Sequence, residues 1–218
     1  MTKHRRHIWV LGHSLSGKTT LHNELDEFNL EESTDPIVDF VPVWDVDDCR
    51  HPAMEPRLRK LRTAGNWTQH NDLWYPMVLG GLEAYNRYGF DDECENPTVV
   101  LDHGPWMMVD YGLYAYTDTI LVLPLLSDEE INYRTEMRIL DFQASGKPRV
   151  EWLSRDMIRD MAMKNRDDLQ NSLSIFDTRK IPYTHIRQDM DPDTSVHING
   201  RAKVPQTMYV IEKIVSLL

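Results

Sequence analysis

Cysteine, long apolar runs and positive charge are all scarce in this sequence of 218 residues. The two cysteines, Cys49 and Cys94, lie far apart without metal-ligand spacing, which predicts a reducing, cytoplasmic setting. No apolar run reaches the roughly 18 residues of a membrane span, and the run after the basic residues 4–7 is too short for a signal peptide. The formal charge of -11 argues against a protein that coats nucleic acid non-specifically, but a local basic groove stays open.

Glycine and proline are also few, at 10 and 12 residues, and they form no low-complexity segment or repeat. With 41% hydrophobic and 27% charged residues, the composition is typical of a globular protein and excludes collagenous or wholly disordered chains. The length is about one and a half typical domains. We therefore expect a single α/β domain over residues 1–218.

Short apolar runs alternate with amphipathic segments along the chain. The predicted strands are residues 8–11, 37–44, 98–101, 119–123 and 183–186. The predicted helices are residues 17–28, 55–63, 72–87, 128–142, 151–173 and 205–218, with a further candidate at 107–116. This alternation predicts a five-stranded, mostly parallel sheet with helices on both faces, and Pro42 predicts an edge position or an irregular end for the second strand.

One motif lies between the first predicted strand and the first predicted helix. Residues 12–19, Gly12-His13-Ser14-Leu15-Ser16-Gly17-Lys18-Thr19, match G-x-x-x-x-G-K-[ST] at every fixed position. Such a loop, continued by Thr20, surrounds a triphosphate with backbone N–H groups and a helix N-terminus. We expect Lys18 to bind the β- and γ-phosphates of ATP and Thr19 to bind Mg²⁺. The alternative is an ordinary strand-to-helix turn with an exposed lysine.

A second segment, Leu101-Asp102-His103-Gly104-Pro105, follows the third predicted strand. Together with the loop, it resembles the P-loop kinases of nucleosides and nucleoside monophosphates, including phage-type kinases of deoxynucleotides or modified DNA. His103 stands where arginine is usual in that segment. The resemblance implies ATP and Mg²⁺ as cofactors, a helical acceptor-binding insert at about residues 45–90 and a lid-like helical region at about 134–170.

Three aspartates are candidates for the chemistry. Asp102 ends a strand, where open α/β sheets place their ligands, so it could bind magnesium or accept a proton, or instead cap the next helix. Asp39 and Asp45 have the same parity on the second predicted strand. Asp39 is a candidate base and Asp45 a candidate acceptor contact, and the alternative is a solvated acidic turn. His103 could touch the acceptor or stabilise its turn.

A basic segment and a set of aromatic residues lie within the predicted acceptor insert. Arg57 and Arg62, with Arg59 and Lys60 between them, could bind an acceptor phosphate or form a solvated helix face. Trp67 and Trp74 could stack on a nucleobase or simply pack in the core.

Arginines also recur through the predicted lid. Arg134 and Arg138 are four residues apart, hence on one helix face, where a closing lid could bring them to the transferring phosphate. Ordinary ion pairs within the helix, such as Glu130 with Arg134, are the alternative.

Four functions are compatible with these features. The first is phosphoryl transfer from ATP to a nucleotide, most simply a deoxynucleoside monophosphate. The second is transfer to a hydroxyl of a nucleoside, a small metabolite or a 5-hydroxymethyl pyrimidine in DNA, with Asp39 or Asp102 as the base. A hydrolysing switch is disfavoured because no N-K-x-D or D-x-x-G motif is found, and a non-catalytic module is disfavoured by the intact Lys18-Thr19 pair. No membrane partner is expected, and the oligomeric state is not predicted.

Overall fold

The computed structural model describes residues 6–31, 40–49, 51–88, 96–102, 117–144, 154–186, 196–198, 201–203 and 205–217. Its strands are β1 (His7–Leu11), β2 (Val43–Asp45), β3 (Thr98–Asp102), β4 (Thr117–Val122), β5 (Thr184–His185), β6 (Val196–Ile198) and β7 (Arg201–Lys203). Its helices are α1 (Lys18–Glu31), α2 (Glu55–Thr63), α3 (Trp67–Tyr88), α4 (Asp128–Ala144), α5 (Arg155–Arg179) and α6 (Pro205–Val215), with a short 3₁₀ helix at Val46–Cys49.

Five strands form one parallel sheet in the order β2-β3-β1-β4-β5. The central strand β1 is buried along its whole length because both of its edges pair and both of its faces are covered. Leu11 pairs with Asp102, and Asp45 pairs with Leu101. The carboxyl ends of β1, β2 and β3 therefore meet at one edge, and the loop after β1 begins there.

Helices cover both faces of this sheet, as the sequence predicts. Alternate residues of β1 point to opposite sides, with Trp9 and Leu11 on one face and Ile8 and Val10 on the other. The first face packs against α3 through Val78 and Leu82 and against α5 through residues such as Phe176. The second face packs against α1 and α6, through the buried residues Leu21, Leu25, Val210 and Ile214.

Several predicted boundaries are wrong. The sequence predicts the second strand over residues 37–44; of these, 37–39 lie outside the described residues, and β2 begins at Val43. Asn29 and Asn96 make side-chain hydrogen bonds to the backbone at residues 41 and 40. The edge position that Pro42 predicts is confirmed. Helix α3 begins at Trp67, five residues before the predicted start, and the Asn66 side chain accepts a hydrogen bond from the Gln69 backbone.

Two further differences concern the second half of the chain. Helix α5 extends to Arg179, six residues beyond its predicted end, and terminates where Lys180 adopts a left-handed backbone with φ of 56°. The antiparallel hairpin of β6 and β7 was not predicted. The helix expected at residues 107–116 lies outside the described residues.

Among the helices of the described residues, none is long and apolar enough to cross a membrane.

Candidate active site

The loop at residues 12–17 has the tight backbone that its two glycines permit. Gly17 has φ of 100°, in the left-handed region that side chains disfavour. Gly12 is required for a different reason, because a Cβ there would overlap the Ser16 hydroxyl and lie 2.9 Å from Leu123 Cδ1. The two glycines therefore contribute differently: Gly17 adopts the positive φ, and Gly12 leaves room for the packed side chains of Ser16 and Leu123.

Lys18 is buried within the curve of this loop, with only 6% of its surface exposed. Its ammonium group donates to the carbonyl of Gly12 and, over 3.1 Å, to that of His13. Burial lowers the pKa of Lys18 to about 8, although nearby aspartates favour the charged form. Lys18 is therefore not the exposed lysine of an ordinary turn.

Three aspartates act on the Lys18 charge, in decreasing order Asp45, Asp47 and Asp102. Asp45 ends β2, and its Oδ1 accepts the Asp47 backbone N–H at 2.9 Å. Asp102 ends β3, is buried, and its carbonyl accepts the Gly12 N–H at 3.0 Å. Strand order thus brings carboxylates from two strands and the following 3₁₀ helix to the phosphate loop. The sequence singles out Asp45 and Asp102, and it offers Asp47 only as one of the carboxylates that follow the second strand.

Oxygen donors suited to magnesium lie at the same place. The Thr19 side chain is exposed at the start of α1, as is Thr20. Hydroxyl and carboxylate oxygens are the ligands that Mg²⁺ prefers, usually with several waters and one or two carboxylates. Among the described residues, no group of three or more His, Cys, Asp or Glu side chains could hold a metal by itself. This donor set fits a metal that is held jointly with phosphates.

The His13 side chain joins the loop to Leu126, which lies in the turn before α4. Its Nε2 accepts the backbone N–H of Leu126 at 3.1 Å, and the ring is fully buried. Burial lowers the pKa of His13 to about 4, and the positive charges of Lys18, Arg166 and Arg134 act in the same direction. The imidazole is therefore neutral at physiological pH and acts as an acceptor that anchors the loop.

Two long helices contact the outer part of the loop. From α4, Arg134 donates to the Leu15 carbonyl at 3.0 Å and pairs with Glu130 at 2.7 Å. From α5, the Asn165 amide donates to Ser14 Oγ at 2.8 Å. The sequence analysis singled out Arg134 but not Asn165. No sequence signal links Asn165 to the loop, because 151 residues separate it from Ser14.

Two further arginines, Arg138 on α4 and Arg166 on α5, carry charge that acts on Lys18 and His13. Arg138 is exposed, its guanidinium lies 5.6 Å from the Phe142 ring centroid, and its charge acts on Lys18. Arg166 donates to the Leu126 carbonyl at 3.2 Å and pairs with Asp128 at the start of α4. The ion pair that the sequence suggested between Glu130 and Arg134 is present. Arg134 therefore makes this ion pair and also contacts the loop, and its action on a transferring phosphate stays a prediction.

The predicted acceptor insert contains α2 and α3. Arg57 is exposed on α2, and Arg62 pairs with Glu55 at 2.9 Å. Trp74 is partly buried against the core and stacks on His70, with ring centroids 6.1 Å apart. The side chain of Trp67 lies outside the described residues, as do Asp39 and His103.

Comparisons with known proteins give limited information. No protein-family profile matches the chain, and no curated protein matches it. Among solved structures, it is similar to TT1252 from Thermus thermophilus, with 17% identity, a TM-score of 0.49 and coverage of 99% of both chains. Shikimate kinase from Acinetobacter baumannii, solved with shikimate, gives 14% identity, a TM-score of 0.45 and coverage of 98% of this chain and 92% of that one.

A gluconokinase from Sinorhizobium meliloti 1021 gives 14% identity and a TM-score of 0.36, over 81% of this chain and 98% of that one. With TM-scores below 0.5, none of these similarities bears on the activity.

Proposed function

We propose that this chain is an ATP- and Mg²⁺-dependent phosphotransferase whose acceptor binds over the carboxyl end of the sheet. One observation supports this most directly: the buried Lys18 begins α1 directly after the glycine-defined loop, and aspartates end β3, which pairs with β1, and β2, which pairs with β3. A buried ammonium is costly unless an anion accompanies it. A triphosphate on this loop would supply that anion.

The loop and the start of α1 would bind the nucleotide. The first N–H groups of α1, from Lys18 onward, have no partner within the helix and point towards the loop. They and the helix dipole favour phosphate oxygens. Lys18 would exchange its bonds to the Gly12 and His13 carbonyls for bonds to phosphate. Thr19 and Asp102 would hold Mg²⁺, which when bound offsets negative charge on the phosphates.

The three aspartates favour a hydroxyl as the acceptor. A phosphate acceptor would bring further negative charge next to Asp45, Asp47 and Asp102, whereas a hydroxyl needs a carboxylate to take its proton. In the transfer, Asp45 accepts the hydroxyl proton and the acceptor oxygen forms a bond to the γ-phosphorus. The bond from that phosphorus to the β-γ bridging oxygen breaks, and the electron pair leaves with the nucleoside diphosphate. We assign the base to Asp45 because, of the three aspartates, it acts most strongly on Lys18, whereas Asp102 is assigned to Mg²⁺ and Asp39 lies outside the described residues.

The acceptor class that we favour is a nucleoside, a small polyhydroxy metabolite, or a 5-hydroxymethyl pyrimidine in DNA. A deoxynucleoside monophosphate is the second candidate, and one observation favours it: the basic residues Arg57, Arg59 and Lys60 are exposed on α2, where an acceptor phosphate could reach them. In both cases residues 45–90 form the acceptor insert and residues 134–170 the lid.

An acceptor screen with a base variant tests this proposal. Purified protein would be offered labelled ATP, Mg²⁺ and each acceptor class, and Asp45→Asn would be compared with Asp141→Asn, an exposed carboxylate on α4. We expect label in a phosphomonoester, and a fall in kcat of about 10²- to 10⁴-fold for Asp45→Asn alone. ATP affinity should change little.

Other outcomes have distinct meanings. Label in a nucleoside diphosphate, with Asp45→Asn unaffected, would establish the monophosphate kinase and remove the assignment of the base. Release of free phosphate alone, whatever acceptor is offered, would favour a hydrolase and contradict phosphoryl transfer.

A further inference from the structure

The outer part of the phosphate loop, residues 13–15, is held by three distant segments. His13 accepts from the Leu126 backbone, Ser14 accepts from the Asn165 amide, and the Leu15 carbonyl accepts from Arg134. Each contact joins residues more than 110 positions apart in the sequence. The helices α4 and α5 therefore help to determine the conformation of a loop that sequence alone defines only locally.

The backbone of Leu15 has a conformation that only its surroundings can hold in place. Its φ is 69°, in the left-handed region that a branched side chain rarely adopts. The Leu15 side chain packs against a small apolar cluster of Leu126, Ile131 and Ala162, which belongs to α4, α5 and the turn before α4. Such backbone strain persists only where the surroundings fix it, and it is common at ligand-binding positions.

In the hydrogen bond between Asn165 and Ser14, the identity of the donor decides what Ser14 can offer to a ligand. The Asn165 Nδ2 donates and the Ser14 oxygen accepts, at 2.8 Å. An amide nitrogen has no lone pair to accept in return, so the hydroxyl proton of Ser14 is left for another acceptor. Ser14 is 8% exposed, so its hydroxyl has little contact with bulk water. A ligand oxygen is an appropriate partner.

The surrounding charge indicates what kind of ligand this is. Lys18, Arg134 and Arg166 all exert positive potential on His13, the residue before Ser14. Among groups that could accept a proton from Ser14, an anionic oxygen is therefore favoured electrostatically. Phosphate oxygens of the nucleotide that we assign to this loop satisfy that requirement.

We propose that Asn165 is a positioning residue that orients the Ser14 hydroxyl as a hydrogen-bond donor to a phosphate oxygen of bound ATP. This inference rests on the proposed function of the loop. Asn165 itself touches no phosphate in this arrangement; it acts through Ser14. It also joins α5 to the loop through this one hydrogen bond.

A double-mutant cycle on ATP affinity tests the proposal. The dissociation constant of Mg²⁺–ATP would be measured by calorimetry for wild type, Ser14→Ala, Asn165→Ala and the double variant. The matched control is Asn171→Ala, an exposed asparagine of the same helix. We expect Ser14→Ala to weaken binding about tenfold, as loss of one hydrogen bond to a charged group does, and Asn165→Ala about threefold. The double variant should match Ser14→Ala, and Asn171→Ala should match wild type.

Asn165→Asp provides a sharper readout. A carboxylate can only accept, so it would take the hydroxyl proton of Ser14 and add a negative charge near the phosphates. We expect ATP binding at least tenfold weaker than wild type, although the side chain is nearly the same size. In the Ser14→Ala background the added charge alone remains, so the further loss should be smaller.

The results separate this inference from the proposed function. Wild type that binds no ATP would overturn both. Only the positioning role would be overturned if the wild type binds ATP and transfers phosphate, but Asn165→Ala weakens ATP binding by the same factor in the wild-type and Ser14→Ala backgrounds. A purely structural effect of Asn165 does not depend on the Ser14 hydroxyl. The positioning role would also be overturned if Asn165→Asp bound ATP as tightly as the wild type does.

Discussion

Two basic regions of this protein differ in how their charge is placed. Lys18 lies in the phosphate loop, almost fully buried, with its ammonium bonded to backbone carbonyls. The basic segment of α2 carries more charge, but Arg57, Arg59 and Lys60 are exposed and Arg62 is paired with Glu55. One buried charge that is bonded to the loop therefore contrasts with several hydrated charges on a surface.

Burial determines which of the two regions gains more free energy when it binds an anion. A hydrated arginine gains little from a partner, because water and salt already screen its charge. A desolvated lysine gains more, since its surroundings provide only carbonyls and aspartates. The number of positive charges in a segment is thus a poor guide to function, and their environment is a better one.

Replacement of one lysine in each region should give the largest difference in turnover. Lys18→Ala removes the buried phosphate ligand, and we expect turnover to fall at least about a hundredfold. Lys60→Ala removes a hydrated charge and should leave turnover within about twofold. Steady-state kinetics with saturating acceptor would measure both, and thermal unfolding would show that each variant folds. Equal activity of the two variants would contradict the assignment of the loop.

The pH dependence of ATP binding should sharpen the same contrast. The pKa of Lys18 is lowered by burial to about 8 in the nucleotide-free protein, and bound phosphate would raise it by favouring the charged form. ATP binding therefore takes up a proton above pH 8, and the affinity should fall by up to about tenfold per pH unit there. Calorimetry in buffers of different ionisation enthalpy measures this uptake. Lys18→Ala should abolish it and Lys60→Ala should not.

Folding stability changes with pH in the opposite direction to ATP affinity. Between pH 8 and 10.5 the unfolded chain holds the Lys18 proton and the native protein does not, so this contribution to the free energy of unfolding rises with pH. The difference in stability between wild type and Lys18→Ala should therefore shift in favour of wild type as pH rises. A difference that is constant over this range would show that the native lysine keeps its ordinary pKa.

The basic segment of α2 should give the smallest effects. Arg57→Ala should change the KM for a hydroxyl acceptor by less than about twofold. Arg62→Ala should cost at most about 1 kcal/mol of stability, because its ion pair with Glu55 is partly exposed. Kinetics and chemical denaturation measure the two. A tenfold rise in KM for Arg57→Ala, limited to acceptors that carry a phosphate, would instead support the monophosphate kinase.

Sequence patterns predicted the existence and type of most elements. Helix α2 has the predicted bounds, because Pro56 and the following turn at residue 65 define both ends locally. The bounds of β2 and the start of α3 differ from the predicted ones, and side chains of Asn29, Asn96 and Asn66 bind the backbone there. Such bonds depend on which segments meet in space, and periodicity does not report them.

The sequence by itself determined the motif of residues 12–19, because its glycines, Lys18 and Thr19 lie within eight consecutive residues. Only the tertiary structure decided which carboxylates face that loop and which distant side chains hold it. Strand order brings Asp45 and Asp102 beside Lys18, and packing of α4 and α5 brings Arg134 and Asn165 to the loop. The physical reason is chain separation: a local motif needs only short-range geometry, whereas contacts over 100 residues form only when the whole core is packed.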